Sequence, residues 1–323
     1  MKWQQGSVTA YWGNKIMEYK VYKLTFPNGI HTGTGGLSTS DMVVHSDTIF
    51  SALCIEAFAS GGQEKIDKLV DYTRSDQLLI SDAMPYIGNT MYIPKPMCHI
   101  SVTDTDQSLK KVFKKLSYIP WKMLDVYLKG EMDPEMIGCE LKKLGKHMQF
   151  KKVYVKEGED NEPYNVGVFR FGENNGLYLI AGYETEEAEM FMAELMKSLQ
   201  YSGLGGKRSA GYGRFTFVSS DLKRRRNLGC EGKRYISISG CMAKRDELDK
   251  ALEGASYKLL KRSGFVQSMS YSEKQLKKHD FYVFAPGAVF EHRFEGDVFD
   301  VSIHGAHPVY RYAKPMFIGT DIL

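Results

Sequence analysis

Residues 198–217 read SLQYSGLGGKRSAGYGRFTF, and the structure on either side of this stretch follows from its order. Upstream, Thr185 is good helix-capping chemistry, and Glu186 and Glu187 suit the positive end of a helix. Ala188, Phe191, Met192, Leu195, Met196 and Leu199 then recur at helical spacing. Downstream, residues 215–218 read as a strand. The stretch is therefore a loop that leads from a helix into a strand. Gly203, Gly205, Gly206, Gly211 and Gly213 let its backbone approach a ligand with no Cβ in the way. Successive N–H groups can cup an anionic oxygen, Lys207, Arg208 and Arg214 add charge, and Tyr212 adds a stacking face.

Two nucleotide-binding patterns are excluded here. A P-loop needs Ser or Thr directly after Gly-Lys, and Arg208 stands there. A dinucleotide fingerprint needs a glycine where Arg208 stands and opens a helix, whereas this loop opens a strand. The run AGYGRFTF partly matches the aromatic strand of RNA-recognition domains, but it lacks the leading basic residue and carries Arg214 where an aromatic belongs. Tyr212, Arg214 and Thr216 would share one face of such a strand. One aromatic on that face predicts grip on an RNA backbone more than base reading.

Nearer the N-terminus, residues 19–26 alternate as a buried strand, and Pro27-Asn28-Gly29 closes it. A loop HTGTGG at residues 31–36 follows, then Ser46-Asp47 as capping chemistry, and Ile49, Phe50, Leu53, Cys54, Ala57 and Phe58 at helical spacing up to a stop at Gly61-Gly62. Residues 1–15 read as a leader. Residues 78–127 are less regular and include Ile93-Pro94-Lys95-Pro96, extended backbone that fixes where the Lys95 ammonium points. Residues 110–115 are a basic run read as a solvated helix face. Residues 150–156 and 164–171 alternate around GEDNEP and read as a projecting hairpin, too polar for core with Lys152, Tyr154 and Lys156 on its faces.

His31 admits two readings. It is a general base for a ribose hydroxyl, or a loop histidine bonded to backbone or phosphate; with no second His, Tyr or Lys patterned beside it, the latter is preferred. Asp41 and Asp47 are read as capping or solvated residues, and no metal or cofactor is expected.

The residues 223–226 look like a linker. A second unit follows, with strands at 235–239, 257–261, 289–294, 298–303 and 308–312 and a helix at 246–252. The small turn Ser263-Gly264-Phe265 offers an aromatic for one base, and Lys314, beside a proline, is read as facing phosphate or solvent. The fold class expected is α+β: tandem ferredoxin-like (RRM-like) domains at residues 17–220 and 221–323, the first with the hairpin inserted at about 148–171.

The 323 residues suit two domains, and 43% hydrophobic with 25% charged residues is an ordinary globular mix. A net charge of +4, from 43 basic and 39 acidic residues, proves no nucleic-acid partner by itself. No apolar run spans a bilayer and the start lacks a signal-peptide core, so the expected compartment is cytoplasmic. Five dispersed cysteines contain no C-x-x-C pair, which excludes zinc-ribbon and thioredoxin-type chemistry.

The strand, HTGTGG and HSDTIFSALCIEAF together resemble the opening of the CRISPR-associated RAMP proteins, and SLQYSGLGGKRSAGYGRF resembles their glycine-rich loop. IPKP, the late SGF and the final YAKP are similar to one subgroup, subunit four of the type III-A Csm effector complex. The resemblance runs from about residue 19 to the C-terminus, loosest in the middle. It implies a non-catalytic subunit that holds the 5′ repeat-derived tag of the CRISPR RNA, with the hairpin as a thumb beside the guide. It implies docking on the large palm-polymerase subunit and on the first backbone RAMP subunit (Csm subunit three), and no membrane. The residues then expected at RNA are His31, Thr32, Gly33 and Ser46; Lys95, Lys152 and Arg170; Gly203, Gly205, Gly206, Lys207, Arg208, Ser209, Gly211, Tyr212 and Arg214; and Ser263, Gly264, Phe265 and Lys314. The alternatives are a CRISPR-RNA-processing endoribonuclease using His31 and a stand-alone RNA-recognition protein.

Overall fold

The computed structural model describes residues 10–12, 15–33, 35–100, 107–153, 162–222, 227–268, 271–272, 274 and 276–322. The elements follow in chain order as β1 (Ala10–Trp12), β2 (Lys15–Thr25), α1 (Ser46–Arg74), β3 (Leu78–Ile80), β4 (Met84–Ile87), β5 (Thr90–Pro94), α2 (Gln107–Lys115), β6 (Tyr118–Pro120), α3 (Leu124–Leu128), α4 (Pro134–Lys142), β7 (Gly145–Val153) and β8 (Pro163–Phe171). Then come β9 (Asn175–Tyr183), α5 (Glu186–Ser202), β10 (Thr216–Asp221), β11 (Arg234–Ser237), α6 (Leu248–Leu252), β12 (Leu259–Arg262), β13 (Phe281–Phe284), β14 (Val289–Phe290), β15 (Val298–Asp300), β16 (Tyr310–Tyr312) and β17 (Phe317–Thr320). The fold is mixed α+β with antiparallel sheets.

The main sheet runs β1-β2-β9-β4-β5-β6, with β10 also on β2 and β3 also on β9. β9 is its centre, and all nine of its residues are buried, as a strand covered on both faces should be. α5 buries the whole stripe read from sequence, and Thr185 caps it by accepting a hydrogen bond from the Ala188 N–H at 3.2 Å. Thr185→Ala should cost about 1 kcal/mol. The check is a lowered urea midpoint with an unchanged slope. α5 packs on α1: Tyr72 and Phe191 meet edge-on at 5.5 Å, and the buried Glu56 carboxylate accepts from the Ser198 and Ser202 hydroxyls.

In the C-terminal part, β11 lies between β14 and β17, and β12-β13 and β15-β16 form two hairpins. Phe290, Phe294 and Phe317 stack edge-on around β11, with centroids 5.1–5.8 Å apart. The core is continuous between the two parts. The Tyr312 hydroxyl donates to the Ile80 carbonyl at 3.0 Å, and Phe50 packs on Tyr312 at 5.5 Å.

Several expectations change. Within the expected leader, Ala10–Trp12 is a strand paired with Lys15 to Met17; its first nine residues lie outside the described ones. Gly61-Gly62 kinks α1 and does not end it, because the helix resumes to Arg74. Phe58 is 55% exposed, and Cys54 is only half-buried. The irregular middle contains the short strands β3 to β6. The basic run does lie on a helix, with Lys111, Lys114 and Lys115 exposed. The base of the β7-β8 hairpin is packed, against expectation: Val166 and Val168 are buried under Tyr212, and Ile30 and Phe169 exchange backbone hydrogen bonds of 2.9 and 2.8 Å. Its turn, with Tyr154 and Lys156, lies outside the described residues, as do residues 223–226. Among the described residues no helix is long and apolar enough to cross a membrane.

Candidate nucleic-acid interface

The glycine-rich loop is built from its own backbone first. Leu204 is fully buried, and its N–H donates to the Gly213 carbonyl at 2.9 Å, which closes the loop on itself. The Gly213 N–H donates to the Gly29 carbonyl at 3.0 Å, tying the loop to the turn after β2. The Gly206 N–H donates to the His31 carbonyl at 2.7 Å. A Cβ on Gly205 would stand 2.5 Å from that same carbonyl oxygen. Part of the glycine content therefore serves packing against residues 29–32, beyond any approach of a ligand.

Between these anchors, Lys207 takes a left-handed conformation at φ 54° and Arg208–Ala210 form a single 3-10 turn. This turn projects the cations. Ser209 and Arg214 are exposed, Lys207 and Arg208 half-buried. Lys207, Arg208, Ser209 and Arg214 line a groove with Ile55 of α1 and Tyr201 and Ser202 of α5. Lys207 Nζ sits 5.0 Å from the Tyr164 ring of β8, and Arg208 Nη2 donates to Gln267 Oε1 at 3.0 Å. The loop thus meets the hairpin on one side and the segment after Ser263-Gly264-Phe265 on the other. Phe265 is 55% exposed there.

The other expected residues divide. Arg170 is exposed beside Gly29, and Lys152 is exposed on β7. Gly33 is exposed, while Thr32 is buried, its hydroxyl donating to the Asp41 carbonyl at 2.9 Å. Tyr212 offers no stacking face: it is buried against Val166 and Val168, 6.3 Å from Phe150. His31 is buried, and its Nδ1–H donates to the Gly167 carbonyl at 2.6 Å. It pins the hairpin to the loop, with its ring packed against Gly206. Ser46 is fully buried at the start of α1. Its backbone N–H donates to Asp82 Oδ1 at 2.9 Å, so the cap comes from Asp82 and not from Ser46 or Asp47. Lys95 donates to the Phe113 carbonyl away from the groove. Lys314 faces neither phosphate nor solvent: it is 1% exposed and pairs with Asp76 Oδ1 at 2.6 Å. Asp47 is buried between Arg262 and Arg311, and the two guanidiniums occupy the carboxylate that a metal would need.

The groove gains Ile55, Tyr201 and Ser202, and Gln267 holds Arg208; none of these is among the expected residues. Tyr201 and Ser202 stand in the quoted stretch directly before Gly203, so their positions are visible there; Ile55 and Gln267 come from tertiary contact.

Residues 23–216 match the model of the RAMP superfamily, so the class of protein that this sheet and loop define is a RAMP protein. The model of the CRISPR Csm4 C-terminal domain matches residues 230–320. The chain belongs to the Csm4 family. It is 36% identical to the CRISPR system Cms protein Csm4 of Mycobacterium tuberculosis, over 94% of this chain and 98% of that one. It is 33% identical to the protein of the same name from Streptococcus thermophilus, over 95% of this chain and all of the other. The fold is similar to a structure of the Csm3–Csm4 subcomplex of the type III-A CRISPR-Cas interference complex, with TM-score 0.62 and 19% identity over 93% of this chain and 98% of that one. It is also similar to a Csm1–Csm4 cassette solved with pppApA, with TM-score 0.59 and 17% identity over 94% and 97%.

Proposed function

We propose that this chain is the RNA-holding structural subunit of a type III-A Csm interference complex, and that it grips the 5′ repeat-derived tag of the CRISPR RNA in the groove of the glycine-rich loop. The observation that carries the reading is the groove's three cations, Lys207 and Arg208 at the 3-10 turn and Arg214 beyond it, with the exposed Phe265 on the segment that holds Arg208. Three cations suit phosphates, and one free ring suits a single stacked base. The subunit is non-catalytic in this reading, acts in the cytoplasm, and docks on the large palm-polymerase subunit and on the first backbone subunit. Relatives solved as a Csm1–Csm4 cassette and a Csm3–Csm4 subcomplex support both docking partners.

The two-unit division at about residue 220 belongs to the same proposal. In the first unit, β10-β2-β9-β3/β4 has the strand order of a ferredoxin-like domain, with α1 and α5 as its two helices. In the second, β14-β11-β17 carries three strands of such an order.

The test is to change Lys207 and Arg208 together to alanine and measure binding of the single-stranded tag RNA against salt. Two lost phosphate contacts should flatten the log–log slope by about 1.4, at about 0.7 per contact. Wild-type affinity and slope in the double variant would reduce the loop to a connector.

A further inference from the structure

We propose that Lys278 and Arg262, with the Thr48 and Ser51 hydroxyls of α1, form a second phosphate subsite that continues the loop's groove along α1 on the same RNA strand. The inference rests on the reading above and names residues that reading does not use.

The observation is an imbalance of buried charge. Arg262 ends β12 and sends Nε and Nη2 to the Asp47 carboxylate at 2.9 and 2.8 Å. Nη2 also donates to Thr48 Oγ1 at 3.0 Å. Arg311 of β16 donates to the same carboxylate, and its Nε is buried with no partner among the described residues. Lys278 makes no ion pair among them; its Nζ lies 3.5 Å from Ser51 Oγ. Three cations therefore surround one carboxylate. Of the other acids of the region, Asp41 also acts on Arg262 from a distance while its Oδ1 accepts the Met42 N–H at 2.6 Å, and two more are ion-paired. Asp280 pairs with Lys261 at 2.7 Å and with Lys277 at 3.7 Å, and Asp82 pairs with His45 at 2.5 Å. Burial, then Arg311 and Arg262, push the Lys278 ammonium below the usual lysine range, with Asp47 opposing. Three half-buried or buried cations around one carboxylate leave an excess of positive charge, which a bound anion offsets.

The place lies along the helix that borders the groove. Thr48, Ser51 and Ile55 are half-buried and share one face of α1. Ile55 already lines the loop's groove with Lys207 and Arg208, and Thr48 stands about 10 Å back along the helix at 1.5 Å per residue. Lys278 is joined to the exposed aromatic turn, because its N–H donates to the Gly264 carbonyl at 2.8 Å. Gln267, three residues beyond Gly264, holds Arg208. The cations, the free ring of Phe265 and the loop thus make one track. This continuity favours an RNA phosphate over a carboxylate from a partner protein.

The experiment compares Lys278→Met, Lys278→Arg and Lys207→Ala/Arg208→Ala in the full chain, binding single-stranded tag RNA with one linkage at a time made uncharged as a methylphosphonate. Lys278→Met should flatten the salt slope by about 0.7, and Lys278→Arg should restore it. The loss should vanish when one particular linkage is neutral, and that linkage should differ from those that cancel the loss in Lys207→Ala/Arg208→Ala. Ser51→Ala, which leaves every charge in place, should weaken binding at the same linkage as Lys278→Met. If Lys278→Met and Ser51→Ala bind as the wild type does while Lys207→Ala/Arg208→Ala is weakened, the subsite is overturned and the loop's role stands. If all of them bind as the wild type does, the loop's role falls too. If Lys278→Met keeps its RNA affinity but loses a partner subunit in a pull-down, the missing anion is a protein carboxylate and the inference fails.

Discussion

Asp47→Asn should destabilise the chain by about 3–5 kcal/mol, the usual cost of stranding buried charges by removing their partner. Asp47 lies at the start of α1, yet its partners come from β12 and β16, and its side chain is only 6% exposed. Burial by itself would raise its pKa; Arg262 and then Arg311 outweigh burial and hold the carboxyl well below the usual carboxylate range. The amide keeps the shape and one acceptor but not the charge, so two guanidiniums would remain buried without compensation. The sign with pH follows from the depressed folded-state pKa. The stabilisation is fully present above the unfolded value, about 3.9, and is lost as pH falls through the folded value. Urea midpoints should therefore differ widely between wild type and variant near pH 7 and converge in acid. A gap under about 1 kcal/mol at neutral pH, or one that widens on acidification, would count against this account.

The same residue shows where sequence reading stops. Ser-Asp before an apolar helical run has the local meaning of capping chemistry. The true partners of Asp47 lie 215 and 264 residues downstream, where no local pattern points to them. Lys314 failed in the same way: a lysine beside proline reads as exposed, but the chain brings it onto Asp76 at the end of α1. Tyr212 was expected on an open strand face, and it became core because the hairpin folds over it. By contrast, α5 was legible residue by residue, since its six buried positions are set by a helical period and a cap that lie within seventeen residues. The strands of the second part were legible as existing but blurred at their ends. β13 and β17 carry no sufficient local signal: Phe281–Phe284 and Phe317–Thr320 are four-residue segments whose pairing partners are remote.

The glycine-rich loop lies between these cases. Its cations and its place between α5 and β10 were readable, but the reason for its glycines was only half read. They were expected to let a ligand approach, and the structure adds a second reason: the loop must close on itself and on residues 29–31 before it can present any cation. A substitution there can abolish RNA binding without touching an RNA contact, so variants at these glycines have to be read against stability.

Gly213→Ala separates the two reasons. Gly213 has φ +78°, in the left-handed region that costs an alanine about 1 kcal/mol or more. Its added Cβ would fall on the Leu204 carbonyl oxygen, with the Leu204 carbonyl carbon at 3.0 Å and backbone N at 3.1 Å. These are backbone atoms held by the 2.9 Å bond from Leu204 N–H to Gly213, so no side chain can swing aside. Strain and clash together should cost about 3–4 kcal/mol, and the Leu204–Gly213 closure should open. Gly211→Ala is the control. It has φ +87°, so the strain is comparable, but its Cβ would find nothing nearer than Asn28 at 3.8 Å, and the cost should stay near 1 kcal/mol. Hydrogen exchange at Leu204 and Gly206, together with urea midpoints, reads both effects: Gly213→Ala should lose protection at these amides, and Gly211→Ala should keep it. If the two variants are equally stable, the loop does not depend on its own closure, and its glycines are there for the ligand alone.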